Sequence, residues 1–369
     1  MKLLIIKIFV LCINILYAPM KFRKTQNKIL YLSRQSDAKS PDMLMLEDGI
    51  KKVSPQTQQV FRLKRLKDES AISLSYIFSI FGDMWEMASA KVVIADTYSI
   101  PVSCLNHKKE TKIIQIWHAM GAVKQFSLQA AGKAQGRDSG VAKAMHMHEN
   151  YDYVLAPSEA TADFYCQAFG CKKENIKILS LPRVDVILNG ENRRNDFLKL
   201  NPDFLNKKIV AYVPTFRNDD EVYTQRLVSA FSSCEQYKLA VSAHPLSKSA
   251  QEGLNNIEGG FSSLDLMKLA DVVITDYSAC AFEAAMLKKP LYFYVPDYEK
   301  YKAEQGLNVD VLTEIQGVAF KNEDDLVKSI STGDYAFDLL SAFADKYVEN
   351  KNTNNTELLA EFICSLLEV

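Results

Sequence analysis

Three stretches of this chain set reactive side chains just after short apolar runs. His118 ends the run Ile113-Ile-Gln-Ile-Trp-His, and Lys124 lies six residues further on. A histidine at the carboxyl end of a strand is placed to take a proton from an attacking hydroxyl, because its ordinary pKa lies near working pH. The same position suits a buried, hydrogen-bonded histidine with no catalytic part, and both readings stand. Pro214-Thr-Phe-Arg217 follows a second apolar run and His244-Pro245 a third. Arg217 carries a planar fork of donors matched to phosphate oxygens. Taken alone it reads equally as a solvated loop residue, but His244 on the next loop strengthens the anion reading.

The richest stretch runs from Ser263 to Glu283, where an apolar strand leads through Thr275-Asp276-Tyr277-Ser278 into a helix. Unpaired backbone donors at a helix start attract anions, so Ser278 and the first backbone N–H groups of that helix form a candidate anion site. Glu283, about one turn on, could accept hydrogen bonds from a ribose diol. The plainer reading makes Ser278 a helix cap and Glu283 a solvated residue. It explains the local pattern but not its convergence with Arg217 and His244.

Several chemistries lack their usual residues. There is no P-loop and no G-x-G-x-x-G, which argues against ATP and NAD. No D-x-D occurs, which argues against a metal-bridged diphosphate. His146-Met-His148 has no acidic or thiol partner fixed nearby, so neither a metal nor another cofactor is expected. Leaving-group charge would then rest on backbone dipoles, histidine and arginine. The seven cysteines are odd in number and contain no C-x-x-C, as in a reducing compartment without structural disulfides. The formal net charge of −1 gives no global field for nucleic acid, and none is expected as a partner.

Two series of elements must position these groups. Short apolar strands are expected at residues 28–32, 91–95, 113–117, 153–156 and 176–179, then at 209–213, 238–242, 272–275 and 291–295, alternating with helical patterns. The polar stretch 189–208, with Asn-Gly and paired arginines, separates the series. The 369 residues therefore divide into a membrane-associating segment 1–27, a domain 28–195 and a domain 196–369. Both domains are α/β, with parallel sheets facing a central cleft where ligands meet the carboxyl ends of the strands. Residues 3–18 are apolar apart from Lys7 and Asn14, and basic residues follow Pro19. A signal peptide, a spanning helix, a buried helix and an interfacial helix on anionic lipid compete. The basic cluster and a shared Lys7/Asn14 face favour the last.

With these residues in view, the chain resembles the CDP-glycerol glycerophosphotransferase family of teichoic-acid and capsule synthesis. The resemblance covers about residues 98–298 and rests on Gln115-Ile-Trp-His118, Tyr153-Val-Leu-Ala-Pro-Ser158, Tyr212-Val-Pro-Thr-Phe-Arg217, His244-Pro245 and Leu269-Ala-Asp-Val-Val-Ile-Thr-Asp-Tyr-Ser278. It implies a GT-B-like architecture of two Rossmann-like domains, with the nucleotide held mainly by the second. It also implies peripheral association with the cytoplasmic face of the cell membrane. By resemblance, His118 is the general base, and Arg217, His244 and the 275–278 turn bind the donor phosphates. The implied reaction moves glycerol phosphate or ribitol phosphate from CDP-glycerol or CDP-ribitol to a hydroxyl of a lipid-linked or polymeric glycan, releasing CMP. Where the family commonly has Gly-x-Pro-Leu-Lys after the histidine, this chain has Ala119-Met-Gly121-Ala-Val-Lys124, which marks a distinct subgroup; Lys124 is assigned to the acceptor side. Two alternatives are a GT-B glycosyltransferase using a nucleotide sugar and a non-catalytic nucleotide-binding member of a polymer-assembly complex.

Overall fold

The computed structural model describes residues 1–65, 74–134, 136–215, 217, 219–242, 249, 253–254 and 257–368. Among the described residues every strand pairs in parallel, and the strands fall into two sheets. The first holds β1 (Gln26–Ser33), β2 (Gln58–Leu63), β3 (Ala90–Ala95), β4 (Lys112–Gln115), β5 (Tyr153–Ala156) and β6 (Ile176–Ile178), in the order β2-β1-β3-β4-β5-β6. The second holds β7 (Lys208–Tyr212), β8 (Tyr237–Val241), β9 (Val272–Thr275), β10 (Leu291–Tyr294) and β11 (Ala319–Phe320), in the order β11-β10-β9-β7-β8.

Continuous apolar runs made the inner strands visible in sequence, because a parallel strand is covered on both faces. All four residues of β9 are buried, as are Ile29 to Leu32 of β1. The expected series lacked β2 and β11. Both are edge strands: β2 mixes polar and apolar side chains that stay partly exposed, and β11 is only two residues long. Neither needs an unbroken apolar run.

The chain forms two compact units. The first comprises Met1–His118, Phe126–Asp185 and Asn352–Val369; the second comprises Ala119–Gln125 and Val186–Lys351. This departs from the expected 28–195 and 196–369 division. The chain leaves the first unit at Asp185, ten residues before the expected boundary, and its last segment returns there. Asp185 ties the returning segment down. Its Oδ1 accepts from the Asn355 backbone N–H and Nδ2, each at 2.9 Å, and its Oδ2 from the Thr356 N–H at 2.9 Å and hydroxyl at 2.6 Å. A carboxylate on the first amides of the helix Asn355–Ser365 satisfies donors that otherwise lack partners and meets the positive end of the helix dipole. That helix packs on Pro41–Val53, where a Cβ added to Gly49 would stand 3.0 Å from Thr356 Cγ2.

The N-terminal helix Lys2–Met20 buries Val10, Ile13 and Tyr17 in a cluster with Tyr76, Ile80, Met84 and Tyr98 of the first unit. Asn14 lines the same cavity as Lys7, so the two share a helical face as expected, but Asn14 is turned into the protein. Its amide donates to Val10 O at 2.9 Å and Cys104 O at 2.7 Å, and its oxygen accepts from the Asn106 N–H at 2.9 Å. Leu3, Leu4, Ile5, Ile8, Leu11, Ile15 and Leu16 remain exposed. All seven cysteines are free thiols.

Candidate active site

In the first unit the polar groups gather where β1, β3 and β4 end. β4 stops at Gln115, whose buried amide holds the turn beyond it. Its Nε2 donates to Tyr151 Oη at 2.9 Å and Thr97 O at 3.2 Å, and its Oε1 accepts from the Trp117 N–H at 2.9 Å. Trp117 is thereby held at φ 56°, a left-handed conformation uncommon for a bulky side chain. Its indole packs against the His118 ring at 4.0 Å between centroids.

His118 is half-buried, and its Nδ1 lies 2.9 Å from the carbonyl oxygen of Asp96, the residue that follows β3. A carbonyl can only accept, so Nδ1 carries the proton and Nε2 keeps its lone pair. The Gln35 amide nitrogen stands 3.3 Å from Nε2. Burial pulls the imidazole pKa down to about 4; the Asp96 hydrogen bond and Asp42 oppose the shift, and Arg183 adds to it. Arg183 is itself held by Asp42, to which its N–H and Nε donate at 2.8 Å each. Asp96 is buried with its Oδ1 unpartnered, and burial lifts its carboxyl to about 6 against hydrogen bonds from Ser33 and Thr97.

His146 and His148 do not act together. His146 pairs with Glu149 at 2.9 Å, whereas His148 is buried, bonded to Tyr151 Oη at 2.8 Å and packed on Phe169. Among the described residues no three His, Cys, Asp or Glu side chains cluster as metal ligands.

In the second unit, Arg217 follows β7 and turns inward, leaving only 3% of its side chain exposed. Its Nη1 lies 2.6 Å from Asp297 Oδ2 and its Nη2 3.2 Å from Asp276 Oδ2. Tyr223 covers the guanidinium at 4.5 Å, with Tyr277 and Tyr301 at 5.7 Å. Burial works against its charge, but Asp276 and Asp297 together hold its pKa above the ordinary arginine value. The 275–278 turn is tied into the same cluster. Thr275 Oγ1 donates to Val213 O at 2.7 Å, Asp276 Oδ1 accepts from the Thr215 N–H at 2.7 Å, and Tyr277 Oη donates to Asp297 Oδ1 at 3.1 Å. Ser278 is half-buried and accepts from the Cys280 N–H at 3.3 Å, at the start of the helix Cys280–Met286. Glu283 is buried on that helix rather than solvated.

The structure thus gathers Arg217, Thr275, Asp276 and Tyr277 in one place. His244 lies outside the described residues. Lys124, assigned to the acceptor side in sequence, belongs to the second unit, where its charge interacts with those of Asp276 and Arg217. Sequence reasoning missed Gln35, Asp42, Asp96 and Arg183 around His118, and Asp297, Tyr223 and Tyr301 around Arg217. Two of them carried a usable signal. Asp96 directly follows the apolar run of β3, and Asp297 follows β10 after Val-Pro, the position by which Arg217 was found.

Two parallel-sheet α/β units, each with polar clusters at the carboxyl ends of its strands, define a transferase fold of the GT-B-like kind. Solved structures agree. The wall teichoic acid polymerase TagF superposes with a TM-score of 0.70 at 20% identity, over 94% of this chain and 90% of that one. A putative UDP-N-acetylglucosamine 2-epimerase from Listeria monocytogenes gives 0.61 at 11% identity, over 94% of this chain and 98% of the other. The chain belongs to the CDP-glycerol:poly(glycerophosphate) glycerophosphotransferase family, whose model matches residues 16–365. Among its relatives, a teichoic acid ribitol-phosphate primase of Bacillus spizizenii is 28% identical over 360 residues, 92% of each chain. A teichoic acid glycerol-phosphate primase of Bacillus subtilis is 31% identical over 298 residues, 76% of this chain and 75% of the other.

Proposed function

We propose that this chain transfers glycerol phosphate or ribitol phosphate from a CDP-activated donor to a hydroxyl of a teichoic-acid-type glycopolymer or its lipid-linked precursor, releasing CMP. The acceptor O–H gives its proton to His118 Nε2. The oxygen forms a bond to the polyol-bearing phosphorus, and the bond from that phosphorus to the bridging oxygen breaks as CMP departs. Such transfers depend on positioning and charge stabilisation more than on covalent help. The observation that carries the base assignment is the hydrogen bond from Nδ1 to Asp96 O, which leaves Nε2 able to accept. Family membership supports the substrate class.

On this reading the second unit takes the donor. Ser278 and His244 are assigned to binding its phosphates and Glu283 its ribose, and the buried Arg217, Thr275, Asp276 and Tyr277 hold the turn that shapes the site. The enzyme works at the cytoplasmic face of the cell membrane. The N-terminal helix supports that location: its polar Asn14 points into the protein while Leu3, Leu4, Ile5, Ile8, Leu11, Ile15 and Leu16 are exposed, the reverse of a helix designed to face water.

Mass spectrometry of products from CDP-glycerol and CDP-ribitol with a lipid-linked acceptor tests the function. The acceptor should gain the mass of a polyol phosphate, with one CMP released per transfer. No transfer from either donor refutes the reading. Replacing His118 by Ala should cut CMP release by roughly 100- to 10,000-fold while CDP-glycerol still binds. Unchanged turnover would remove the base.

A further inference from the structure

The helix Lys2–Met20 forms one wall of a cavity of about 450 Å³ that lies wholly within the first unit. Lys7, Leu11 and Asn14 line it from that helix, Asn106 from the segment after the helix Ile100–Cys104, and His146 and Glu149 from the loop before β5. A cavity of this size accepts a small molecule or the polar end of a larger one.

Its walls are held in place by the protein itself. Asn14 pins the stretch around Cys104 and Asn106 from the helix side, and Asn150 pins it from the other, with Nδ2 at 3.1 Å from the carbonyl oxygens of Val102, Ser103 and Leu105. In the facing loop His146, His148 and Asn150 hold φ at 48°, 65° and 72°. Left-handed backbone at residues other than glycine is unfavourable and persists where surrounding contacts over-determine it. The Asn150 contacts and the His148–Tyr151 bond supply them here.

Two kinds of surface meet at this cavity. Glu149 is paired with His146 at 2.9 Å, whereas Lys7, among the described residues, has no hydrogen bond or ion pair. The wall thus offers a cation without a partner. Beside it Leu4, Ile8, Leu11 and Ile15, at helical spacing, make one exposed apolar stripe. Leu11 belongs to both surfaces, lining the cavity and standing 60% exposed. A ligand that used both would be anionic at one end and hydrocarbon at the other. A bare phosphate would leave the stripe and most of the cavity unfilled.

We propose that this cavity binds the headgroup of an anionic glycerophospholipid, with the phosphate on Lys7 and the acyl chains along Leu4, Ile8, Leu11 and Ile15. This rests on the membrane-face location proposed above and deepens it, from apolar attachment to recognition of a lipid class.

Dihexanoylphosphatidylglycerol below its micelle concentration, titrated calorimetrically into the full chain, tests the cavity apart from any bilayer. Lys7→Met should bind it roughly 10-fold more weakly than the wild type. Asn106→Trp, which keeps Lys7 but fills the cavity, should weaken binding as much. Both replace exposed side chains, so the melting temperature should hold. Dihexanoylphosphatidylcholine, whose headgroup has no net charge, and glycerol phosphate, which has no chains, should each bind the wild type roughly 10-fold more weakly than the glycerol lipid. No binding of that lipid by the wild type, or unchanged affinity in either variant, overturns the proposal. Equal affinity for the choline lipid refutes the charge recognition, and equal affinity for glycerol phosphate makes this a site for a free phosphate. Tighter, Lys7-dependent binding of geranyl diphosphate would hand the cavity to a polyprenyl-linked acceptor instead. A wild-type chain that does not sediment with anionic vesicles fails the membrane location itself, a separate result because the short-chain lipid is read in solution.

Discussion

The protonation of His118 can be weighed without any substrate. An ordinary histidine titrates near 6.5, whereas burial brings this ring to about 4. Between those values the unfolded chain binds a proton that the folded chain refuses, so stability must fall as the pH drops through that window and level off below about 4. For a fully enclosed ring, linkage gives a loss of about 2 kcal/mol between pH 7.5 and pH 5. An edge of this ring meets solvent, so we expect about 1 kcal/mol. His118→Gln, which cannot titrate, should lack that part of the acid loss. His148, pulled down to about 3 by burial, is common to both proteins and cancels in the comparison. Both tryptophans, Trp85 and Trp117, lie in the first unit, so urea unfolding followed by their fluorescence reports on the unit that holds His118. The measured quantity is the change in unfolding free energy from pH 7.5 to pH 5, wild type minus variant. Equal losses, or a larger loss in the variant, would show that the folded ring is not held neutral and would undo the base assignment.

Two other perturbations have definite outcomes. Asp185→Ala removes the acceptor of four hydrogen bonds from Asn355 and Thr356, and should cost the first unit about 2–4 kcal/mol in the same urea experiment. Leu4→Glu with Leu11→Glu alters side chains 62% and 60% exposed, so the melting temperature should hold while co-sedimentation with anionic phospholipid vesicles is lost; retained binding would exclude this face as the membrane contact.

The inner strands of both sheets were legible from the chain alone, because strands covered on both faces must be apolar along their whole length. So was the gathering of polar side chains just past their carboxyl ends: His118, Arg217 and Asp276 were all found that way. The helix caps were legible too. Ser158 accepts from the Thr161 N–H and Gly170 ends that helix in the left-handed conformation, because each needs only neighbours in sequence.

What the chain could not declare is partnership across long separations. Arg217 looks like a free phosphate fork until Asp297, eighty residues away, closes on it. Asn14 looks like a polar stripe on a helix surface until Cys104 and Asn106 take it inward. The last helix is tied to the first unit by Asp185, far from it in sequence, and the tautomer of His118 is set by one carbonyl, that of Asp96. Hydropathy along a chain records how much of each side chain is shielded from water. Which donor meets which acceptor is settled only when distant segments fold together, and at this site that pairing decides which groups remain free to react.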